Sequence, residues 1–297
     1  MRIDTHQHLW PVAFLQVLRA RSRPPRMDGW TLELADGSFA IDPAAHDPDS
    51  RAAEAAADGL DLVCVAPSAA LGIDRLPPSE AAELADAWLD GALALPAPFR
   101  PWATARDPES LSDALARGAI GLELPAEALA APGALDRLAP LLDVLDAARR
   151  PLLVHPGPAE VRDTRGRPAW WAPVVPYVSG LHAAWWAWAD GGRERFGELP
   201  VCFAALAGLG PLHGERHRAR GGAGGAIDPL TFVETSSYGT QAVDAVMRVL
   251  GIDVICLGSD RPYATPAALA LDDAALHAIA SSNPQRLLAH ALEPVVA

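Results

Sequence analysis

The 297-residue chain reads as an α/β protein built on a single (β/α)8 barrel. Three observations predict that class. Eight short apolar runs, each bounded by turn residues, alternate with Ala/Leu-rich helical stretches. The runs are apolar at nearly every position, as strands of a parallel sheet are when both faces are buried. The length exceeds the ~250 residues typical of this barrel by about what two long loops add.

In chain order the predicted strands are Arg2–His6, Leu60–Pro67, Arg100–Thr104, Ala119–Leu124, Pro151–His155, Pro200–Leu206, Leu230–Thr235 and Asp253–Gly258. Helices are predicted between them at Ser79–Ala94, Pro108–Arg117, Ala134–Arg149, Ser179–Phe196 and Thr240–Leu250, with a last one at Asp272–Ala289. A doubly wound open sheet is the competing architecture. Such sheets usually carry a Gly-rich phosphate turn after the first strand, and here that turn carries histidines. Two long insertions, about residues 9–49 and 156–176, follow strands one and five, so both belong at the C-terminal rim where this fold builds its active sites. Gly221–Gly225 follows no strand and reads as a flexible connector.

Composition narrows the function. Half the residues are hydrophobic, enough for one large core, and no run approaches the ~18 apolar residues of a membrane span. The chain opens on a strand-like segment without the features of a secretory leader, so a cytoplasmic location is expected. A net charge of −13 opposes a polyanionic partner, which excludes nucleic acid and leaves a small-molecule substrate. Cys64, Cys202 and Cys256 each sit in an apolar run and read as reduced, buried hydrophobes. All 24 residues counted as Lys or Arg are arginine, so neither a Schiff base nor a carbamylated lysine is available.

The chemistry is announced by Asp4-Thr5-His6-Gln7-His8. Residues two apart on a strand point to the same side, which puts His6 and His8 in chelating geometry at the barrel mouth. Imidazole is a common ligand of zinc and similar ions, and a catalytic site needs further protein ligands and an open position. His155 ends the fifth strand in Pro-Leu-Leu-Val-His-Pro-Gly, and Asp260 follows the eighth in Cys-Leu-Gly-Ser-Asp-Arg-Pro. A lone strand-end histidine is more often a satisfied structural residue; four such groups at catalytic-face positions favour one divalent metal, zinc first, with Mn, Fe, Co or Ni also compatible.

The segments Ile-Asp-Thr-His-Gln-His-Leu-Trp, Val-His-Pro-Gly, Gly-Ser-Asp-Arg-Pro-Tyr and Ser-Asn-Pro-Gln-Arg-Leu-Leu resemble the amidohydrolase superfamily, in its amidohydrolase-related branch of metal-dependent decarboxylases and lactonases. The resemblance runs from Ile3 to Leu288. It implies a (β/α)8 barrel in which His6, His8, His155 and Asp260 bind one divalent metal, with Asp260 also taking a proton from water in hydrolytic members. One departure stands out. The sixth strand usually ends in a histidine, and Ala205 occupies that place here. This argues for a mononuclear centre and leaves His182 or His213 as substitutes approaching from another direction.

Three further features carry expectations. Glu123 ends the fourth strand, where an unpaired carboxylate is costly, and is assigned as a fifth ligand or an acid/base. Trp10, with the segment from Trp170 to Trp188, supplies an aromatic wall, lid or homodimer contact. Arg261 is positioned to hold a substrate carboxylate, or to neutralise the acidic rim. The predicted activity is hydrolysis of an amide, ester or lactone by metal-activated water with Asp260 as base. The alternatives are a metal-dependent non-oxidative decarboxylase and a non-catalytic binding barrel.

Overall fold

The computed structural model describes residues 1–35, 37–223 and 227–293. Its organising feature is a ring of eight parallel strands, β1 (Ile3–His8), β2 (Leu62–Ala66), β3 (Phe99–Pro101), β4 (Leu122–Pro125), β5 (Leu152–His155), β6 (Val201–Phe203), β7 (Thr231–Glu234) and β8 (Ile255–Cys256). The strands form two arcs, β1 to β3 and β4 to β8, each in sequence order. Both seams between the arcs are hydrogen-bonded. At one, Ala103 bridges Leu122, and Glu123 N–H donates to the Ala103 carbonyl at 2.9 Å. At the other, Gln7 bridges Arg261, and Thr5 N–H donates to the Leu257 carbonyl at 2.9 Å. The predicted barrel is therefore the fold, with each strand falling inside or within two residues of its expected run.

Alternate residues on the same strands sort into two apolar clusters. Val63, Val65, Leu152, Val154, Val201, Phe203 and Val233 pack with helix residues such as Trp88, Leu142 and Val243. Cys64, Trp102, Leu153, Cys202, Phe232 and Cys256 pack with one another, together with Ile3 and Leu287. Each fully buried side chain of Val or Phe size contributes about 1.5–3 kcal/mol relative to exposure. The three cysteines are free and buried, and burial raises their thiol pKa values, so they act as small hydrophobes.

Two long predicted helices are broken. The Ser179–Phe196 stretch forms Pro176–Ala189 and Gly192–Arg195, separated at Gly191, and a side chain on Gly192 would run into the Trp188 ring. The C-terminal helix divides into Asp273–His277, a π-helical turn at Ala278–Ser282, and Asn283–Leu287. Asn283 Nδ2 donates to the carbonyls of Ile252 and Ile255, tying that break to the barrel floor.

The first insertion holds the helix Val12–Ala20, a small antiparallel sheet of Arg26–Asp28, Thr31–Leu34 and Gly37–Ala40, and a 3-10 turn at Pro43–His46. It leads into the helix Pro48–Ala57, whose N-cap Asp47 accepts from Ser50 N–H at 2.9 Å. The second insertion carries the short helices Val161–Thr164 and Trp171–Val174. Residues 224 and 225 of the Gly221–Gly225 connector lie outside the described residues. No helix among the described residues is long and apolar enough to cross a membrane.

Candidate metal centre

Three strand ends deliver the group His6, His8, His155 and Asp260, whose candidate ligand atoms all lie within 4.8 Å of one another. His6 Nε2 is 3.1 Å from His8 Nε2, and Asp260 Oδ1 lies 3.1 Å from His8 Nε2 and 3.8 Å from His6 Nε2. The three imidazole rings stand edge to face, with centroids 4.8 to 5.1 Å apart. Each Nδ1 is already engaged. That of His6 meets Glu234 Oε1 at 3.2 Å, that of His8 the Ala66 carbonyl at 3.1 Å, and that of His155 the Pro156 carbonyl at 2.8 Å. This pattern leaves every Nε2 directed at a common centre, with ring orientation fixed from behind, the arrangement that a divalent ion requires of imidazole ligands. The donor set fits one metal ion.

Asp260 reaches the centre by a strained route. Its φ is +56°, in the left-handed region that costs a non-glycine residue roughly 1–2 kcal/mol. The conformation is held by Asp260 N–H donating to the His6 carbonyl at 2.9 Å and Ser259 N–H donating to Asp4 Oδ1 at 3.1 Å. Asp4 is itself buried and also accepts from His6 N–H and Gln7 Nε2. Gln7 Oε1 in turn accepts from the buried Arg51, whose other amino group donates to the His8 carbonyl at 3.0 Å. A polar chain of Asp4, Gln7 and Arg51 thus backs the whole first-strand motif.

The electrostatics follow from burial and pairing. Burial opposes a charge on His6, yet the Glu234 hydrogen bond and the negative charges of Glu234, Asp260 and Glu123 hold its pKa up at about 9. His8 and His155 are lowered, chiefly by burial and then by His6, so the three rings do not all carry protons together. Glu123 is fully buried and raised to about 7 by desolvation. Its Oε1 accepts from Ala69 N–H at 3.0 Å and lies 3.7 Å from His155 Nδ1, while its Oε2 has no hydrogen-bond partner among the described residues. Glu123 therefore lies behind His155, beside the four converging groups rather than among them. Glu123 also lines a small cavity of about 50 Å³ together with Thr104, Ser68 and Asp74.

The other expected residues are placed as follows. Trp10 is buried; its Nε1 donates to the Pro67 carbonyl at 2.8 Å, and its ring stacks on His46 at 4.3 Å, so it forms packed wall rather than open surface. Arg261 Nη1 donates to Glu54 at 3.3 Å and its Nη2 to Asp58 at 2.9 Å. His182 and His213 face each other at 4.8 Å, on the helix Pro176–Ala189 and the segment after β6; no contact joins either to the four converging groups among the described residues. Trp170 is exposed, Trp185 and Trp188 pack inward, and Trp171 lies under the Arg167 guanidinium at 4.1 Å.

Sequence reasoning passed over Glu234, Asp4, Arg51 and His46. For Glu234 a signal was available, since a carboxylate ending the apolar run Thr-Phe-Val-Glu is the same anomaly that singled out Glu123. His46 offers no such mark. It is buried by the first insertion, its Nδ1 accepts from Trp10 N–H at 3.1 Å, and burial followed by Arg51 and His8 lowers its pKa to about 3.

No family model and no curated protein matches the chain. Solved structures do. The 2,6-dihydroxybenzoate decarboxylase from Rhizobium aligns over 97% of this chain and 98% of its own, with TM-score 0.71 and 18% identity. Metarhizium anisopliae IDCase in its apo form aligns over 98% and 97%, with TM-score 0.77 and 16% identity. The 5-carboxyvanillate decarboxylase from Novosphingobium aromaticivorans, complexed with manganese and 4-hydroxy-3-methoxy-5-nitrobenzoic acid, aligns over 97% and 96%, with TM-score 0.70 and 17% identity. At these identities the likeness establishes a shared fold along the whole chain.

Proposed function

We propose that this chain is a metal-dependent enzyme of the amidohydrolase type, and that it removes CO2 from a small organic acid without a redox change. The observation that carries the reading is the convergence of His6, His8, His155 and Asp260 in the barrel mouth, with each histidine Nδ1 turned to an acceptor behind it. A divalent ion held there would supply Lewis-acid polarisation of a substrate oxygen. Zinc and manganese are the ions to try first, since a set of three imidazoles and a carboxylate accepts several.

The chain's own residues then have defined work. Asp260, with a side chain 22% exposed, faces both the ligand histidines and the mouth, so it is the group that can carry a proton to substrate. In decarboxylation that proton goes to the carbon bearing the carboxylate, where a π pair of the substrate forms the new C–H bond. The C–CO2 bond then breaks, CO2 leaves, and the electron pair of that bond restores the π system. Trp10 and His46 close one side of the site against water, and Glu123 buttresses His155. Loss of CO2 is preferred over hydrolysis because the fold is shared end to end with decarboxylases. Ala205 also removes the strand-six imidazole that would polarise a scissile carbonyl.

Hydrolysis of an amide, ester or lactone is the second reading, supported by Asp260 as a base beside the centre. A small-molecule substrate, a cytoplasmic location and a homodimer complete the picture; the exposed Trp170 and Val174 suit a lid or a subunit contact. The experiment is a panel of aromatic acids, lactones and amides offered to metal-replete protein. CO2 release supports the first reading, and uptake of labelled water oxygen into product supports the second. If the protein neither carries nor binds a stoichiometric divalent ion, the metalloenzyme reading falls and the binding-barrel reading takes its place.

A further inference from the structure

We infer that Glu234 is the residue that positions His6 as a ligand, with its carboxylate held by the Ala205 backbone at the end of the sixth strand. The inference rests on the metal-centre reading above. Glu234 is fully buried at the end of β7. Its Oε1 meets His6 Nδ1 at 3.2 Å and also accepts from Ala205 N–H at 2.7 Å and Ser236 Oγ at 2.6 Å. Its Oε2 accepts from Ser236 N–H at 2.6 Å. Four donors around one buried carboxylate fix its orientation, so the His6 ring is aimed by a group that cannot itself turn.

Two features of the surrounding backbone make room for this arrangement. Ala205, Leu206, Ala207, Gly208 and Leu209 run consecutively at φ between +47° and +60°, a left-handed turn that L-residues avoid. The turn brings Ala205 N–H, rather than a side chain, to the Glu234 carboxylate. On the other flank a side chain at Gly258 would collide with Glu234 Oε2, so the β8 end must carry glycine there. Sixth, seventh and eighth strand ends are thus shaped around one carboxylate that, among the described residues, touches the metal group through His6. Glu234 is a positioning residue: it fixes which His6 nitrogen faces the centre and strengthens that nitrogen as a donor.

The test compares Glu234→Gln with Ser236→Ala. Both disturb the same hydrogen-bond knot, but only the first alters the partner of His6. Zinc and cobalt affinities are measured by competition with a chromophoric chelator, alongside the visible spectrum of the cobalt-loaded protein and the far-UV circular dichroism of the metal-free protein. Glu234→Gln is expected to lose about ten- to hundredfold in affinity for both ions and to shift the cobalt spectrum, while Ser236→Ala stays within about threefold of wild type. The inference is overturned if folded Glu234→Gln binds within threefold of wild type, or if Ser236→Ala falls as far. Should glutamine not be accommodated among four donors, Glu234→Asp carries the test with the same two outcomes, since it keeps the charge and withdraws it from His6. A wild-type protein that binds neither ion would refute the metal-centre reading itself, a result separable from both outcomes.

Discussion

Asp4 Oδ1 accepts a hydrogen bond of 3.1 Å from the backbone N–H of Ser259, 255 positions away in the chain. That contact closes the barrel seam beside the candidate metal centre and stabilises the left-handed Asp260. Asp4→Asn keeps the shape but presents an amide N–H to a site ringed by the donors His6 N–H, Ser259 N–H and Gln7 Nε2. An unsatisfied buried polar group costs about 1–3 kcal/mol, so denaturant melts should show a loss of that size, with weaker metal binding through Asp260. Unchanged stability and metal affinity would show that the seam does not depend on this carboxylate.

His6→Ala, His8→Ala, His155→Ala and Asp260→Asn are each expected to abolish stoichiometric zinc or manganese while leaving the barrel folded. All four side chains act at the C-terminal mouth, whereas stability resides in the packed strand and helix layers. Elemental analysis after dialysis, with circular dichroism as the folding control, checks this. Retention of metal by any two of these variants would displace the proposed ligand set.

Arg51 donates to the His8 carbonyl, the Ala45 carbonyl and Gln7 Oε1 from a buried position on the helix Pro48–Ala57. Arg51→Met leaves those acceptors without donors and is expected to cost about 3–5 kcal/mol, as for other broken buried charge networks. Urea unfolding measures it. A loss below about 1 kcal/mol would show that water replaces the guanidinium.

His46 sets a pH dependence whose sign is fixed by its lowered pKa of about 3. The unfolded chain binds the proton near pH 6.5 and the folded one resists it, so the contribution is present above 6.5 and is lost as pH falls towards 3. At pH 5 the loss is about 2 kcal/mol relative to pH 7. His8 and His155 are lowered too, so His46→Asn should flatten part of the slope between pH 7 and 5 rather than all of it. Equal slopes for variant and wild type would exclude His46 as a source.

Gly208 has φ +56° and lies against the backbone of the helix Pro176–Ala189, where a methyl group would meet the Val178 carbonyl. Gly208→Ala is expected to lower stability by at least about 1 kcal/mol from backbone strain alone, with more from the contact. Calorimetry of the metal-free protein measures it; an unchanged melting temperature would mean that the left-handed turn relaxes freely.

The barrel and the candidate metal group were legible in the sequence because both depend on local, periodic features. Near-continuous apolar runs mark strands buried on both faces, and a histidine or aspartate at the end of such a run is carried to the catalytic mouth by the strand itself. His6, His8, His155 and Asp260 were found in this way. Glu123 was found by the same rule, but its place behind His155, 3.7 Å from Nδ1, depends on how β4 and β5 lean together.

What only the tertiary structure decided are the relationships between strand ends and insertions. Glu234 meets His6 because β7 and β1 flank β8 in the ring, and Asp4 meets Ser259 because the ring closes. Arg51 and His46 come from an insertion whose path no periodicity encodes, and Arg261 is claimed by Glu54 and Asp58 of the neighbouring helix. The sequence by itself therefore determined which candidate ligands reach the mouth, because strand geometry dictates where each strand ends. The folded chain decided which groups aim, buttress and neutralise them, because those contacts join residues that no local pattern relates.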